Sequence, residues 1–492
     1  MKAFTEPLLS LAGFEEMTKT AEKSSGLISV TGCIDAQKSQ MIYAFGGHRK
    51  NKLIVTFGEQ KAKELYDEYS FFDKEVVYYP SKDVLFYQSD IRGNLLTAER
   101  IRALKAIREQ ERVTLVTTFD ALMNTMAPIE KMWENVLTLE QGQLLDLKEI
   151  QAALIRMGYE KEYQVQTMGQ FSVRGGILDV FPLTEENPIR IELWGDEIDT
   201  IRYFDCESQK SIENIDRVSI YPAAELVLSD EEKAGGIDKL KAEAKRVSDK
   251  LRKQMKTEEA HRVTVMADEL TEEWGELSMY AGMDAFLSYF FDERVGILDY
   301  FNPSDSIIFF DELTRCVEQG KLTETEFSES MKQRLAMGYI LPGQMNGLFT
   351  EKEIVAKLGK YSCIALGALD NKANGLHQLG SYGIHCQSVS PYNNSFELLI
   401  KDLKRYKKNG YRVILLSGSR TRAKRLSEDI TDQGITCFYT ENYDHELFEG
   451  QIMVCYGKVR RGFEYPILKF AVITESDIFG AQQKKKEASP HL

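Results

Sequence analysis

The run Gly32-Cys33-Ile34-Asp35-Ala36-Gln37-Lys38-Ser39 is the part of this sequence with the most recognisable chemistry. It follows a β-rich stretch, Leu27-Ile28-Ser29-Val30, and precedes a helical one. In that setting the pattern G-x-x-x-x-G-K-[ST] wraps backbone N–H groups around nucleotide phosphates. Lys38 and Ser39 stand where the pattern needs a lysine for phosphate and a hydroxyl for Mg²⁺, but the second glycine is replaced by Gln37. A side chain there obstructs both the turn and the ligand, so the loop is expected to be degenerate and to bind nucleotide weakly or not at all. Nucleotide cleavage also needs a carboxylate at a strand end, to hold Mg²⁺ and orient water. Asp311-Glu312, directly after Ile307-Ile308-Phe309-Phe310, has that form, although a strand followed by a capped helix start looks the same. Together with the damaged loop of Gly32, Gln37, Lys38 and Ser39 it reads as a relic.

Nothing else suggests catalysis. His48, His261, His377, His385 and His445 are isolated, no Ser-His-Asp order or H-E-x-x-H occurs, and no catalytic residue is assigned. The seven cysteines are scattered without a C-x-x-C pair, which argues for reduced thiols and against a metal site. A different signal comes from strand alternation. In Ile189 to Trp194 the odd positions Ile189, Ile191 and Leu193 face a core, so Arg190, Glu192 and Trp194 face outward. By the same rule Phe171 and Val173 are buried while Ser172 and Arg174 are exposed. Arg174, Arg190 and Trp194 are residue types enriched at binding hot spots, although a solvated sheet face with one stray aromatic would give the same pattern.

The elements that must position these residues fall into blocks. Strands at 27–30, 53–56, 76–79 and 113–116 are separated by helical stretches, the signature of a parallel sheet with crossover helices. From 148 to 222 the strands are closely spaced, with turns at Arg174-Gly175-Gly176 and Trp194-Gly195-Asp196, predicting a small antiparallel domain. A charged helical tract follows at about 230–256, interrupted by Gly235-Gly236, and then the strand before Asp311. The simplest organisation is one α/β domain, residues 1–147 and 223–350, with the small α+β domain inserted into it. Residues 351–476 restart the alternating pattern as a second α/β domain, and the polar tail 477–492 is expected to be disordered.

A length of 492 residues fits several domains, and the net charge of −14 disfavours a broad DNA-binding surface, leaving only a local basic patch such as Lys458 to Arg461. No stretch approaches the roughly 20 apolar residues of a membrane span and no signal peptide is visible, so a cytoplasmic chain without membrane partners is expected.

Three features in this order resemble a known family. They are the degraded loop Thr31 to Ser39, the run Phe171 to Pro182 with Arg190 to Ile198, and Asp311-Glu312. They are similar to the excision-repair helicase UvrB, and more closely to the UvrB-homology module of transcription-repair coupling factors, the Mfd family. Val472 to Gly480 is similar to that family's junction between its third domain and its polymerase-interaction domain. The resemblance implies a degenerate P-loop, helicase-like (RecA-like) parallel-sheet domain, an inserted domain that binds UvrA, and a second α/β domain. It implies that Arg174, Arg190 and Trp194 match the UvrA-contacting positions, with Trp where some relatives have Phe. No cofactor is expected in this chain, since ATP and Mg²⁺ serve the family's motor. RNA polymerase and double-stranded DNA would be partners of domains beyond Leu492. UvrB carries a long aromatic hairpin where Tyr78 to Tyr87 here leave little room, so damage verification is not expected. The rival is an active ATP-dependent helicase or translocase of the UvrB type, for which Gly457 to Phe463 and Thr474 to Asp477 resemble a second lobe. Arg420, Arg422 and Arg425 are read as a solvated helix face, not as a phosphate clamp.

Overall fold

The computed structural model describes residues 1–45, 49–83, 91–276 and 282–480, without the side chains of 91–94 and 276. The aromatic-hairpin region beyond residue 83, His48 and the tail beyond 480 lie outside the described residues. Residues 477–479, expected to begin the disordered tail, instead finish the helix Glu475–Phe479, with Asp477 and Ile478 buried. Four strands come first: β1 (Gly26–Thr31), β2 (Asn51–Thr56), β3 (Val76–Tyr79) and β4 (Val113–Thr118), each leading to a helix. Every residue of β4 is buried, Val-Thr-Leu-Val-Thr-Thr, as expected of a parallel strand covered on both faces. The chain then builds a separate unit from β5 (Leu137–Glu140), β6 (Glu160–Lys161), β7 (Gln170–Arg174), β8 (Ile177–Val180), β9 (Ile189–Trp194), β10 (Glu197–Phe204), β11 (Ser211–Ile215) and β12 (Arg217–Ile220). It returns with β13 (Ser306–Asp311), β14 (Ser362–Leu366) and β15 (Gln378–Gly383). The first sheet runs β15-β1-β14-β13-β2-β4-β3, parallel at every pair. Strands from both sides of the small unit therefore share one sheet, and the unit is an insertion in an α/β domain.

In the insertion the order is β11-β10-β9-β8-β7-β6, antiparallel except for β6 on β7. Its base is closed by β5 pairing with β12, and Leu139 and Leu145 sit in the same core as Phe171, Leu178 and Ile191. The unit thus starts near Leu137, ahead of the expected 148, which falls inside the helix Leu147–Arg156. Short β5 pairs with a strand almost eighty residues later, so nothing local marks it as the beginning of the unit.

A second correction concerns the block expected to restart at 351. Strand β14 lies between β1 and β13 in the middle of the first sheet, and β15 forms its edge. Alternating strand and helix is the same pattern in either domain, and only the pairing decides which sheet a strand joins. A third concerns Gly235-Gly236, which do not interrupt the helix Asp230–Lys253. Gly236 lies so close to the Phe290 ring that a Cβ would come within 2.1 Å of it, and the glycine serves packing.

The last sheet comprises β16 (Gln387–Ser388), β17 (Arg412–Ser417), β18 (Phe438–Tyr439), β19 (Ile452–Tyr456), β20 (Phe463–Tyr465) and β21 (Phe470–Thr474), ordered β16-β20-β21-β17-β19-β18. One face of it is not separate from the first domain. Leu416, Met453, Phe463 and Phe470 share a continuous buried cluster with Met41, Ile42, Leu65 and Phe72 from the helices Asp35–Phe45 and Glu59–Phe72. Tyr465 Oη donates to Gln40 Oε1 at 3.0 Å across the same junction.

Beside this junction lies Glu68, buried, its carboxyl pushed up from 4.5 to about 7 by burial, which Lys61 and Arg460 only partly offset. The folded state therefore holds this proton more tightly than the unfolded chain. The carboxyl favours folding fully below pH 4.5, and that contribution is lost as pH rises through 7. Glu68→Gln should raise stability at pH 8 by about 2–3 kcal/mol and leave it unchanged at pH 4, read as a shift in the urea midpoint.

Candidate functional site

The loop between β1 and the helix Asp35–Phe45 folds tightly. Gly32 has φ 79°, and a Cβ there would lie 2.1 Å from the Ile384 carbonyl oxygen, so the position excludes other residues. The Gly32 and Cys33 N–H groups donate to the carbonyls of Ala368 (3.1 Å) and Gly367 (3.0 Å). In a phosphate cradle such groups point at the ligand, whereas here the 367–368 turn takes them. The Gln37 side chain is fully buried beside Met41, its Nε2 3.9 Å from Sδ. It fills the core under the loop, so the expected obstruction of the mouth by Gln37 is not what closes it.

Lys38 closes it. Its ammonium lies 2.5 Å from Asp311 Oδ1, 3.0 Å from Glu312 Oε1 and 3.2 Å from Asp35 Oδ1, and both Lys38 and Asp311 are buried. Thr56 Oγ1 donates to the other Asp311 oxygen at 2.7 Å. Burial alone would lower the lysine's pKa, but Asp311, Glu312 and Asp35 hold it above its ordinary value. Glu312 is fixed in a left-handed conformation, φ 57°, and accepts from the Ala368 N–H at 3.3 Å. The structure thus joins Lys38 to Asp311, Glu312 and Asp35 as a set of ion pairs, while Gln37 and Ser39 are buried beside it in the same helix and take no part in the pairing. In this arrangement carboxylates occupy the lysine's donors.

On the insertion, alternation places most residues correctly. Ile189 and Ile191 are buried, Arg190 and Glu192 half-buried, and Trp194 is 84% exposed. Three residues depart from expectation: Val173 and Leu193, expected inward, are half-buried, and Ser172 is buried, its hydroxyl donating to the Tyr163 carbonyl at 2.8 Å, because the segment before β7 covers it. The two arginines meet on a residue that strand patterning did not single out. Asp179, opposite Arg190 in the β8–β9 register, is 1% exposed and accepts from Arg174 Nη2 (2.9 Å), Arg190 Nε (2.7 Å) and Arg190 Nη2 (2.8 Å). Its only sequence signal is a charge within the apolar run Ile177-Leu178-Asp179-Val180. Trp194 does not lie beside the arginines. Four residues along the strand from Arg190, its Cα is roughly 13 Å away, next to the hairpin turn. There it borders a groove of about 600 Å³ with Glu140, Glu197, Asp199, Asp216 and Arg217.

Several of the remaining candidates are occupied locally. Arg460 pairs with Glu64 (2.6 Å), and the Asp477 carboxylate accepts from the Gly462 and Thr474 backbone N–H groups at 2.7 and 2.9 Å. Arg420, Arg422 and Arg425 are exposed on the helix Arg420–Asp432, Arg422 pairing with Glu475 at 3.1 Å. Among the described residues no cluster of His, Cys, Asp and Glu is arranged to hold a metal ion, and no helix is long and apolar enough to cross a membrane.

Residues 137–226 match the family described as UvrB interaction domain. The chain is similar to the transcription-repair-coupling factor of Bacillus subtilis, 27% identical over 441 residues, which is 89% of this chain and 37% of the relative. The proteins of that name from Staphylococcus haemolyticus and Staphylococcus aureus strain MRSA252 are each 26% identical, over 93% and 96% of this chain and 39% and 40% of theirs. The chain therefore spans about two-fifths of the length of these curated relatives. The resemblance to transcription-repair coupling factors drawn from the sequence holds across nearly the whole chain.

Proposed function

We propose that this chain is an adaptor for transcription-coupled excision repair, in which the outer face of the insertion docks UvrA and the surrounding α/β domains serve as a nucleotide-free scaffold. The observation that carries the reading is the Arg174–Asp179–Arg190 cluster with the exposed Trp194, all on one sheet face within the stretch similar to a UvrB interaction domain. In this reading residues 137–226 bring UvrA to stalled RNA polymerase, and contacts to polymerase and double-stranded DNA are made by portions of the relatives that this chain does not cover. The rival, an active helicase, is opposed by the carboxylates that occupy Lys38 and by the buried core that the two α/β domains share.

Titration of purified UvrA tests the reading. The chain should bind, and Trp194→Ala should weaken binding about 30-fold, the ~2 kcal/mol typical of a hot-spot aromatic. No binding by the parent chain would overturn the adaptor.

A further inference from the structure

We infer that Asp179 is the positioning residue of the docking face, a keystone that, braced by Arg190, holds Arg174 in the geometry a partner meets; this rests on the reading of that face as the UvrA dock. Asp179 is 1% exposed, so a partner cannot reach its carboxylate. A carboxylate that deeply buried is strongly unfavourable unless paired, and here three guanidinium N–H donors and no other described group satisfy it. Arg190 meets it side-on through Nε and Nη2, the geometry that fixes a guanidinium plane. Its Nη2 also donates to Gln209 Oε1 at 2.8 Å, and its guanidinium carbon lies 4.2 Å from the Phe204 ring centroid. With its side chain 12% exposed, Arg190 is held on every side. Arg174 is different: its side chain is 35% exposed and, among the described contacts, uses only Nη2 on Asp179. The rest of its donor fork is turned toward whatever docks.

The arrangement divides the labour. Arg174 is the reader, suited to a carboxylate or a carbonyl on the partner, and Asp179 with Arg190 removes the rotamer freedom that binding would otherwise have to freeze. Simple charge counting gives the opposite expectation, since removing Asp179 makes the face more positive and should tighten an acidic partner.

Purified UvrA titrated against the chain and its variants separates the two. Asp179→Asn is expected to weaken binding at least 10-fold, and to cost less than 3-fold further when added to Arg174→Ala, because it acts through Arg174. Unchanged or tighter binding by Asp179→Asn, or the same loss in both backgrounds, overturns the inference. A second measurement does not depend on UvrA or on the variant folding. In ¹⁵N-arginine-labelled parent chain the Arg190 Nε–H should exchange with water far more slowly than that of the exposed Arg420, and equal rates would also overturn it. If the parent does not bind UvrA, the adaptor reading fails while the exchange measurement still decides whether Asp179 holds Arg190.

Discussion

Replacing Lys38 with methionine should destabilise the chain by about 3–5 kcal/mol and leave its nucleotide affinity unchanged. In a working phosphate loop the same change abolishes nucleotide binding, because the lysine's charge is spent on the ligand. Here that charge is spent on Asp311, buried at 2.5 Å, and on Glu312 at 3.0 Å. Removing it strands a carboxylate in the core with, among the described residues, only Thr56 as a side-chain partner. The double variant Lys38→Met with Asp311→Leu should recover much of the loss, since replacing both members of a buried pair is commonly near neutral while removing one is not. Urea unfolding of the three proteins gives the stabilities, and equilibrium binding of a labelled ATP analogue with Mg²⁺ gives the affinities. Micromolar binding by the parent chain that disappears in Lys38→Met would revive the helicase.

A comparable loss, about 3–5 kcal/mol, is expected for Arg100→Met at the neck of the insertion. Arg100 is fully buried, with Nε 2.5 Å from Glu225 Oε1, Nη1 2.7 Å from the Pro80 carbonyl and the guanidinium 4.1 Å from the Tyr79 ring centroid. Glu225 is where the chain re-enters the main domain, and after the substitution, among the described residues, Lys82 alone, at 2.8 Å, would pair with its carboxylate. Burial pushes that carboxyl's pKa up, but Arg100 and then Lys82 outweigh it and hold the group down at about 2 against an ordinary 4.5. A depressed carboxyl stabilises the fold fully above pH 4.5, and the contribution is lost as pH falls toward 2. The stability of the parent chain should therefore fall more steeply between pH 4.5 and 2 than that of Arg100→Met, by up to roughly 3 kcal/mol, the part due to Lys82 remaining in the variant. Parallel acid-unfolding profiles for the two would show that the pair contributes nothing.

Much of the site was legible in the linear sequence because its signals are local. The spacing from Gly32 to Ser39 and the strand end at Asp311 single out, without any tertiary knowledge, the residues that the structure pairs as Lys38 and Asp311, and period-two alternation puts Arg190 and Trp194 on one face. What could not be read were the partners each charge takes. Lys38 and Asp311 are 273 residues apart, and only the parallel sheet brings β1 and β13 close enough for them to pair.

The same division runs through the whole molecule. The sequence by itself determined the classes of its parts: a parallel α/β sheet, an antiparallel insertion and the outward residues of β9, all of which follow from repeats of two or about four residues along the chain. Only the tertiary structure decided that β14 belongs to the first sheet, that the insertion starts at Leu137, that the last sheet shares a core with the first domain, and that Asp179 holds both arginines. Each of these is a choice among strands or charges that look alike locally, and it is settled by which distant surface leaves the least apolar area in water and the fewest buried charges unpaired.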